Sequence, residues 1–215
     1  MIVLNLKCYE QSLKSDFFAQ LASEVQEESD VRIVLCPPTT QLSISSKIFP
    51  DTFSQHVDSV AMGACTGSNL PEFIKAAGAK GSLLNHSERR VSNNEIESSV
   101  KRMASLDLET IVCAATPFDC SKVAKFNPSF IAVEPPELIG SGISVSNAKP
   151  EVVTKSLEVV KKISPKTTFL CGAGVSNKTD VSNALKLGSE GVLLASAFVK
   201  AKDPKEFLRD LCSAF

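Results

Sequence analysis

A carboxylate followed first by prolines and then by glycines stands in the second half of the sequence. The apolar run Phe130–Val133 has the length of a buried strand, and Glu134 follows it directly, before two prolines. Because proline cannot donate to a sheet ladder and drives the residue before it into an extended conformation, we expect Glu134 at the carboxyl end of that strand. Gly140 and Gly142 come next, and backbone N–H groups beside glycines can approach an anion closely. The pattern predicts a base beside a loop that closes over an anion, with a solvated carboxylate in an ordinary turn as the alternative.

Five other predicted strands also end in polar or small residues. His86, with Glu88, follows one run, and Asn5 and Lys7 end another. The remaining three ends carry Gln55, the segment Gly172–Gly174 and the pair Ala195-Ser196. Each of these has a structural explanation when taken singly, such as a turn or a solvated strand end. Together they offer a base, an imidazole, a cation and loops that accept an anion, which predicts one functional site if the strand ends converge.

The order of the apolar runs predicts an α/β fold. Eight runs of strand length alternate with helical patterns, and several are apolar throughout, as expected for parallel strands that are buried on both faces. The predicted strands are Ile2–Lys7, Val31–Cys36, Phe53–Asp58, Gly81–Leu84, Thr110–Ala114, Phe130–Val133, Thr167–Cys171 and Gly191–Leu194. The predicted helices are Ser15–Glu28, with Ser15 as its cap, 39–48, Leu70–Ala77, Asn93–Leu106, Pro117–Lys125, Ala148–Ile163, Val181–Leu187 and Pro204–Ala214.

Eight strand–helix units fit a closed (β/α)8 barrel, an eight-stranded parallel sheet surrounded by helices. No linker rich in proline, glycine or serine divides the sequence, so we expect residues 1–215 to form a single domain. An open doubly wound sheet is the alternative. Against it, the first strand leads into Cys8-Tyr9-Glu10, without the GxGxxG turn that such sheets use to bind dinucleotides.

Composition narrows the class of protein further. The 215 residues are 43% apolar and 22% charged, with a net charge of −1, which gives no reason to expect binding to nucleic acid or to a membrane. We expect neither a signal peptide nor a membrane span. Seven cysteines without a CxxC pair favour buried thiols in a reducing cytoplasm, and with two histidines they make a structural zinc site improbable.

Seven motifs, in order from the first strand to the last, resemble the triosephosphate isomerase family in its short archaeal type. The two most specific in combination are Asn85–Arg90, which reads Asn-His-Ser-Glu-Arg-Arg, and Glu134–Gly142. The others are Asn5-Leu-Lys7, Gln55–Asp58, Gly63–Gly67, Cys171–Gly174 and Gly191–Ser196. The chain has no Trp, and its loop carries Pro-Glu-Leu where the larger branch of the family often has Val-Trp-Ala. The resemblance covers the whole chain and implies a TIM barrel.

The resemblance implies an isomerase that interconverts dihydroxyacetone phosphate and D-glyceraldehyde 3-phosphate through an enediolate, in glycolysis and gluconeogenesis. By this likeness Glu134 is the general base and His86 is the neutral electrophile, a state that a helix starting at Ser87–Val91 would favour. Lys7 supplies a cation, and Asn5 can donate an amide hydrogen bond to the substrate. Glu88 supports Lys7 or His86. No metal or organic cofactor is needed, because the substrate carries an acidic C–H beside its own carbonyl.

The resemblance also implies where the phosphate binds and how the chain assembles. The phosphate is expected on backbone N–H groups of Ile139, Gly140, Gly174, Ala195 and Ser196, under a closing loop Pro135–Gly142. A homotetramer is favoured and a dimer is possible, with the segment Gly63–Gly67 reaching into a neighbouring subunit.

Two other functions stay open from the residues alone. One is a different phosphate-binding barrel enzyme, a synthase or epimerase. The other is a barrel that binds a phosphorylated metabolite without converting it. Neither requires His86, Lys7 and Glu134 together.

Overall fold

Eight parallel strands form one sheet in the computed structural model, which describes residues 1–140 and 142–215. In order along the chain, the strands are β1 Ile2–Asn5, β2 Ile33–Cys36, β3 Phe53–Ser54, β4 Gly81–Leu84, β5 Glu109–Ala114, β6 Phe130–Val133, β7 Thr168–Cys171 and β8 Gly191–Leu194. They pair in the order β2-β1-β8-β7-β6-β5-β4-β3. A parallel bridge between Leu35 and Thr52 joins the two outer strands, so the barrel is nearly closed. The predicted (β/α)8 barrel is confirmed.

Helices follow the strands and surround them. Their bounds are α1 Ser15–Glu27, α2 Leu42–Ile48, α3 Pro71–Ala76, α4 Asn93–Ser105, α5 Pro117–Val123, α6 Val145–Ala148, α7 Pro150–Ile163, α8 Lys178–Lys186, α9 Ser196–Val199 and α10 Pro204–Cys212. Short 3-10 turns occupy Glu10–Lys14, Thr39–Gln41, Ala124–Phe126 and Pro136–Leu138. None of the helices in the described part of the chain is long and apolar enough to span a membrane.

Several predicted boundaries are wrong. The third strand has two residues instead of six, because the chain turns into a loop after Ser54. Ser15 is the first residue of α1 and does not cap it, since its hydroxyl donates to the carbonyl of Ser12 instead. The helix predicted from Ala148 is broken at Lys149, whose extended φ of −144° follows from the proline after it.

The two faces of each strand build two separate cores. Side chains of one parity pack outward against the helices, as do those of Ile2, Leu4, Ile33 and Leu35. Side chains of the other parity fill the barrel, namely Val3, Val34, Cys36, Phe53, Leu83, Ile111, Cys113, Phe130, Ala132, Leu170 and Leu193. The same inner parity leads to Asn5, the last residue of β1, and, past the ends of their strands, to Gln55, Asn85 and Glu134. The polar residues at the mouth therefore stand on top of the apolar barrel core.

The opposite end of the barrel is closed by Arg32. Its guanidinium pairs with Asp51 at 2.8 and 2.9 Å and with Glu109 at 3.2 Å, so that strands β2 and β5 are joined across the bottom. The same guanidinium lies 5.9 Å from the ring centre of Phe53 and 5.6 Å from that of Phe130. The Arg32 guanidinium therefore packs against the layer of the barrel core that is farthest from the mouth.

A glutamine side chain completes the junction between β2 and β3. Gln55 Nε2 donates to the carbonyl of Cys36 at 2.9 Å and to the carbonyl of Lys7 at 3.0 Å. At this point β3 has already ended, so the amide takes the place of a strand ladder. It joins the three chain segments that contain Lys7, Cys36 and Gln55 at the mouth of the barrel.

Replacing Gln55 with leucine should weaken this junction. Both carbonyl groups would lose a partly buried donor, so we expect the free energy of unfolding to fall by about 1–3 kcal/mol, measured by urea denaturation. Gln20→Leu, at an exposed position of α1, is the matched control. Equal midpoints for the two variants would show that the Gln55 amide contributes nothing to closure.

Candidate active site

One cavity at the carboxyl ends of the strands brings together most of the predicted site residues. It has a volume of about 410 Å³, and its walls include Lys7, His86, Glu134, Ile139, Gly140, Gly174, Ala195 and Ser196. Asn5 and Glu88 line a neighbouring cavity of about 290 Å³, which shares Lys7 and His86 with the first. The two cavities meet at these shared side chains, so the predicted residues form one continuous site.

Glu134 is a buried carboxylate in the wall of the larger cavity. Its backbone N–H extends the β5–β6 ladder to Ala114, while its side chain is only 3% exposed. Oε1 lies 3.8 Å from His86 Nε2, and Oε2 has no hydrogen-bond partner among the described residues. Burial raises the pKa of Glu134, and this is partly offset by His86, by the nearby Cys113 thiol and by Lys7. A carboxylate that is poorly solvated and underbonded is a stronger base than one in water.

Because Gly172 has no side chain, there is room beside it for the Glu134 carboxylate. A Cβ atom at residue 172 would stand 2.5 Å from Glu134 Cγ. Real Cβ atoms do not approach carbon this closely, so any larger residue would displace the Glu134 side chain. The glycine after β7 therefore positions the carboxylate that follows β6.

Lys7 reaches the cavity from a strained backbone. The strand ends at Asn5, and Lys7 has a φ of 48°, so the prediction that the first strand extends to Lys7 is wrong. Asn5 Oδ1 accepts the N–H of Lys7 at 3.0 Å, while Gln55 donates to its carbonyl, and these two bonds hold the left-handed conformation. At the other end, Lys7 Nζ lies 2.7 Å from Glu88 Oε1. Lys7 is thus held both at its backbone and at its ammonium group.

His86 presents one defined nitrogen to the cavity. Its Nδ1 accepts the backbone N–H of Glu88 at 3.1 Å, which leaves the proton of the neutral ring on Nε2, facing Glu134. The predicted helix start at Ser87–Val91 is wrong, because these residues form a turn and α4 begins at Asn93, after a capping box at Ser92. The Glu88 N–H therefore orients the imidazole, and the segment 87–91 that follows it is not helical.

Small residues form another part of the cavity wall. Gly174 has a φ of 71°, and a Cβ atom there would overlap the carbonyl oxygen of Ile143, so the end of the loop passes directly over it. Ile139 also lines the cavity, and its backbone N–H donates to the carbonyl of Pro136. The predicted loop Pro135–Gly142 includes Ser141, which lies outside the described residues. The loop and the β7 turn are thus in backbone contact.

Three further residues belong to this site but carried no clear sequence signal. Cys113 is one residue before the end of β5, and its thiol faces Glu134 across the β5–β6 pair. Tyr9 and Lys200 line the same cavity from the loops after β1 and α9. Within residues 1–140 and 142–215, no group of three or more His, Cys, Asp and Glu side chains is arranged to hold a metal ion.

The raised pKa of Glu134 makes a stability prediction. The folded protein binds this proton more tightly than the unfolded chain, so the charged carboxylate costs stability above its folded pKa, and the cost vanishes as the pH falls. We expect Glu134→Gln to unfold at a higher temperature than the parent at pH 8, by roughly 2–4 °C for each kcal/mol gained. The two melting curves should converge below pH 4.5, the ordinary value for glutamate.

Glu137→Gln is the control for this measurement. Glu137 is on the same loop, but its carboxylate is exposed and paired with Lys149, which lowers the pKa. Its replacement should give no gain in melting temperature at pH 8. A Glu134→Gln protein that is less stable than the parent at pH 8 would contradict the assignment of a costly buried charge.

Comparison with known proteins agrees with this geometry. A family model described as Triosephosphate isomerase matches residues 1–214. Curated proteins named Triosephosphate isomerase are similar over nearly their full length. One from Methanobacterium bryantii is 44% identical, covering 99% of this chain and 96% of its own. Others, from Methanosarcina barkeri and Methanocaldococcus jannaschii, are 46% and 44% identical, covering 98% of this chain and 96% and 98% of their own. The chain belongs to the triosephosphate isomerase family.

Proposed function

We propose that Glu134, His86 and Lys7 together catalyse the reaction of this family in the cavity described above. The chain is an isomerase that interconverts dihydroxyacetone phosphate and D-glyceraldehyde 3-phosphate, a step of glycolysis and gluconeogenesis. The observation that carries the assignment of roles is the buried Glu134 carboxylate, 3.8 Å from an imidazole nitrogen in a cavity that Lys7 also lines.

The chemistry moves one proton between two adjacent carbons. Glu134 removes a proton from the carbon beside the carbonyl, and the electron pair moves toward the carbonyl oxygen to give an enediolate. His86 Nε2–H donates to that oxygen, and the Lys7 ammonium stabilises the negative charge. Glu134 then gives the proton to the neighbouring carbon, while the hydroxyl proton passes from one oxygen to the other by way of His86 Nε2. The carboxylate and the neutral imidazole are both regenerated, and no oxidant or reductant is consumed.

The phosphate is assigned to the wall of small residues. Gly140, Gly174, Ala195 and Ser196 line this cavity, whereas Glu88 lines the neighbouring one. Glycine at residue 174 lets the loop end and the β7 turn come together, so a phosphate there would be enclosed by both. Enclosure excludes water from the enediolate and limits loss of its phosphate group. Asn5 and Glu88 act through Lys7, one at its backbone and one at its ammonium.

Turnover of the parent protein and of substituted proteins tests these roles. We expect Glu134→Gln to lower kcat by about 10²–10⁴-fold, as for loss of a general base, while affinity for a phosphate-bearing inhibitor is kept. His86→Gln should also lose most activity, and Lys7→Ala should weaken inhibitor binding. The assay follows isomerisation of glyceraldehyde 3-phosphate, coupled to reduction of dihydroxyacetone phosphate.

Circular dichroism separates chemistry from folding in that experiment. The three variants should give the parent spectrum, and Glu137→Gln, outside the cavity wall, should keep parent activity. An altered spectrum for Glu134→Gln or His86→Gln would make that residue structural. Unchanged inhibitor affinity in Lys7→Ala would remove Lys7 from the site.

The proposal extends to assembly as a homo-oligomer, with a tetramer favoured over a dimer. The loop 59–69 is closed at its base by two bonds between Asp58 and Asn69, of 2.9 and 2.6 Å. Beyond this base, Val60 is 45% exposed and Met62 is 61% exposed. Apolar side chains on a loop that is fixed at its base suit insertion into a second copy of the chain. Cytoplasmic location is part of the same proposal and rests on seven free thiols.

A charge on this loop should separate the subunits. We expect the parent protein to sediment as an oligomer and Met62→Asp to sediment as a smaller species, because a carboxylate buried in an interface is not compensated. Phe118→Asp is the control, since Phe118 is similarly exposed but lies on α5. A parent protein that sediments as a monomer would contradict the proposed assembly.

A further inference from the structure

The cavity holds a second lysine that the assigned mechanism does not use. Lys200 follows α9, one helical turn beyond Ser196, whose carbonyl accepts the Lys200 N–H at 3.0 Å. Its side chain forms part of the cavity wall together with Ser196 and Gly174. The backbone of Lys200 is therefore bonded to Ser196, one of the residues to which the substrate phosphate is assigned.

The ammonium of Lys200, an exposed residue, lies over the ring of Tyr9. Lys200 Nζ lies 4.7 Å from the centre of the Tyr9 ring, a cation–π contact that connects the loop after β1 with the segment after β8. Tyr9 is half-buried and also lines the cavity. An aromatic face orients a cation without neutralising its charge, so the ammonium keeps its full attraction for an anion.

The other charged groups of the cavity make a further cation favourable for binding an anion. Lys7 is paired with the Glu88 carboxylate at 2.7 Å, and Glu134 is itself an anion. A dianionic phosphate would therefore enter a site in which one ammonium is already shared between partners. Among the described residues, Lys200 forms no ion pair with a carboxylate and is the other cation in the wall.

We propose that Lys200, oriented by Tyr9, is a second cation for the substrate phosphate and sets the affinity of the site for dianions. This inference rests on the proposed function, because it uses the same cavity and the same placement of the phosphate. Lys200 touches the phosphate end of the substrate and does not act on the reacting carbons. Its effect should therefore appear in KM and in kcat/KM, while kcat changes little.

The test compares Lys200→Met with Lys202→Met. Lys202 is two residues further on, is exposed and does not line the cavity, so the two variants change net charge equally. Binding of inorganic phosphate is followed by phosphorus NMR titration, which does not require turnover. We expect Lys200→Met to raise the Kd for phosphate roughly threefold to tenfold, while Lys202→Met and Lys200→Arg stay within twofold of the parent.

Salt dependence and the Tyr9 ring supply two further readouts. The decline of kcat/KM with added salt should be less steep in Lys200→Met than in Lys202→Met, because one charge that attracts the substrate is gone from the site. In a Tyr9→Leu background, Lys200→Met should change the Kd for phosphate less than it does in the parent, since the ammonium is no longer held over the ring.

The outcomes separate this inference from the proposed function. Equal Kd values for phosphate in Lys200→Met and Lys202→Met would overturn the role of Lys200, whether or not the parent isomerises triose phosphates. A parent that binds phosphate with the expected dependence on Lys200 but shows no isomerase activity would leave the inference standing and overturn the proposed function. A parent that binds no phosphate would overturn both.

Discussion

The alternation of side chains along eight short strands is the constraint on which the site depends. Inner positions fill the barrel with apolar groups up to the last layer, and the next inner position on several strands is polar. Asn5, Gln55, Asn85 and Glu134 come to the mouth in this way from four different strands. Because the period is two, a shift of one residue in any of these strands would turn its polar end outward, into the helical layer. The register of the sheet therefore determines which side chains reach the site.

The cost of the site is concentrated on one carboxylate. Glu134 is buried, one of its oxygens has no hydrogen bond among the described residues, and Gly172 leaves it room that a larger residue would fill. A structure selected for stability alone would not keep such a group. The surrounding cations and the Cys113 thiol offset part of the cost without forming a tight ion pair, since the nearest imidazole nitrogen is 3.8 Å away. A base that is already bonded to a cation would be weaker, so the incomplete compensation serves the chemistry.

Sequence patterns predicted the parts of this structure that follow from local rules. The alternation of strand-length and helical segments located all eight strands, and the polar residues at their ends placed Glu134, His86 and Lys7 at a common mouth. The turn after His86 was not predicted, because its hydrogen bond from the Glu88 N–H to Nδ1 depends on a left-handed Asn85, which hydrophobic periodicity does not reveal. The pairing of Tyr9 with Lys200 was not predicted either, because it joins loops that are distant in sequence and meet only when the barrel closes. Local chemistry identified the groups, and tertiary contacts determine their orientation.

The two-residue strand β3 has a consequence for how the barrel opens. Its junction with β2 rests on one backbone bridge, on the Gln55 amide and on the Arg32–Asp51 ion pair, whereas β5 and β6 are joined by four paired residues. Local unfolding begins where the ladder is shortest, so this seam should be the place where backbone amides exchange most readily with solvent. Gln55 also holds the Lys7 carbonyl, so a transient opening there would release the cation while leaving Glu134 enclosed. In that open state the site would lack the Lys7 cation but keep the Glu134 base. The Lys7 side of the mouth should therefore open more often than the Glu134 side.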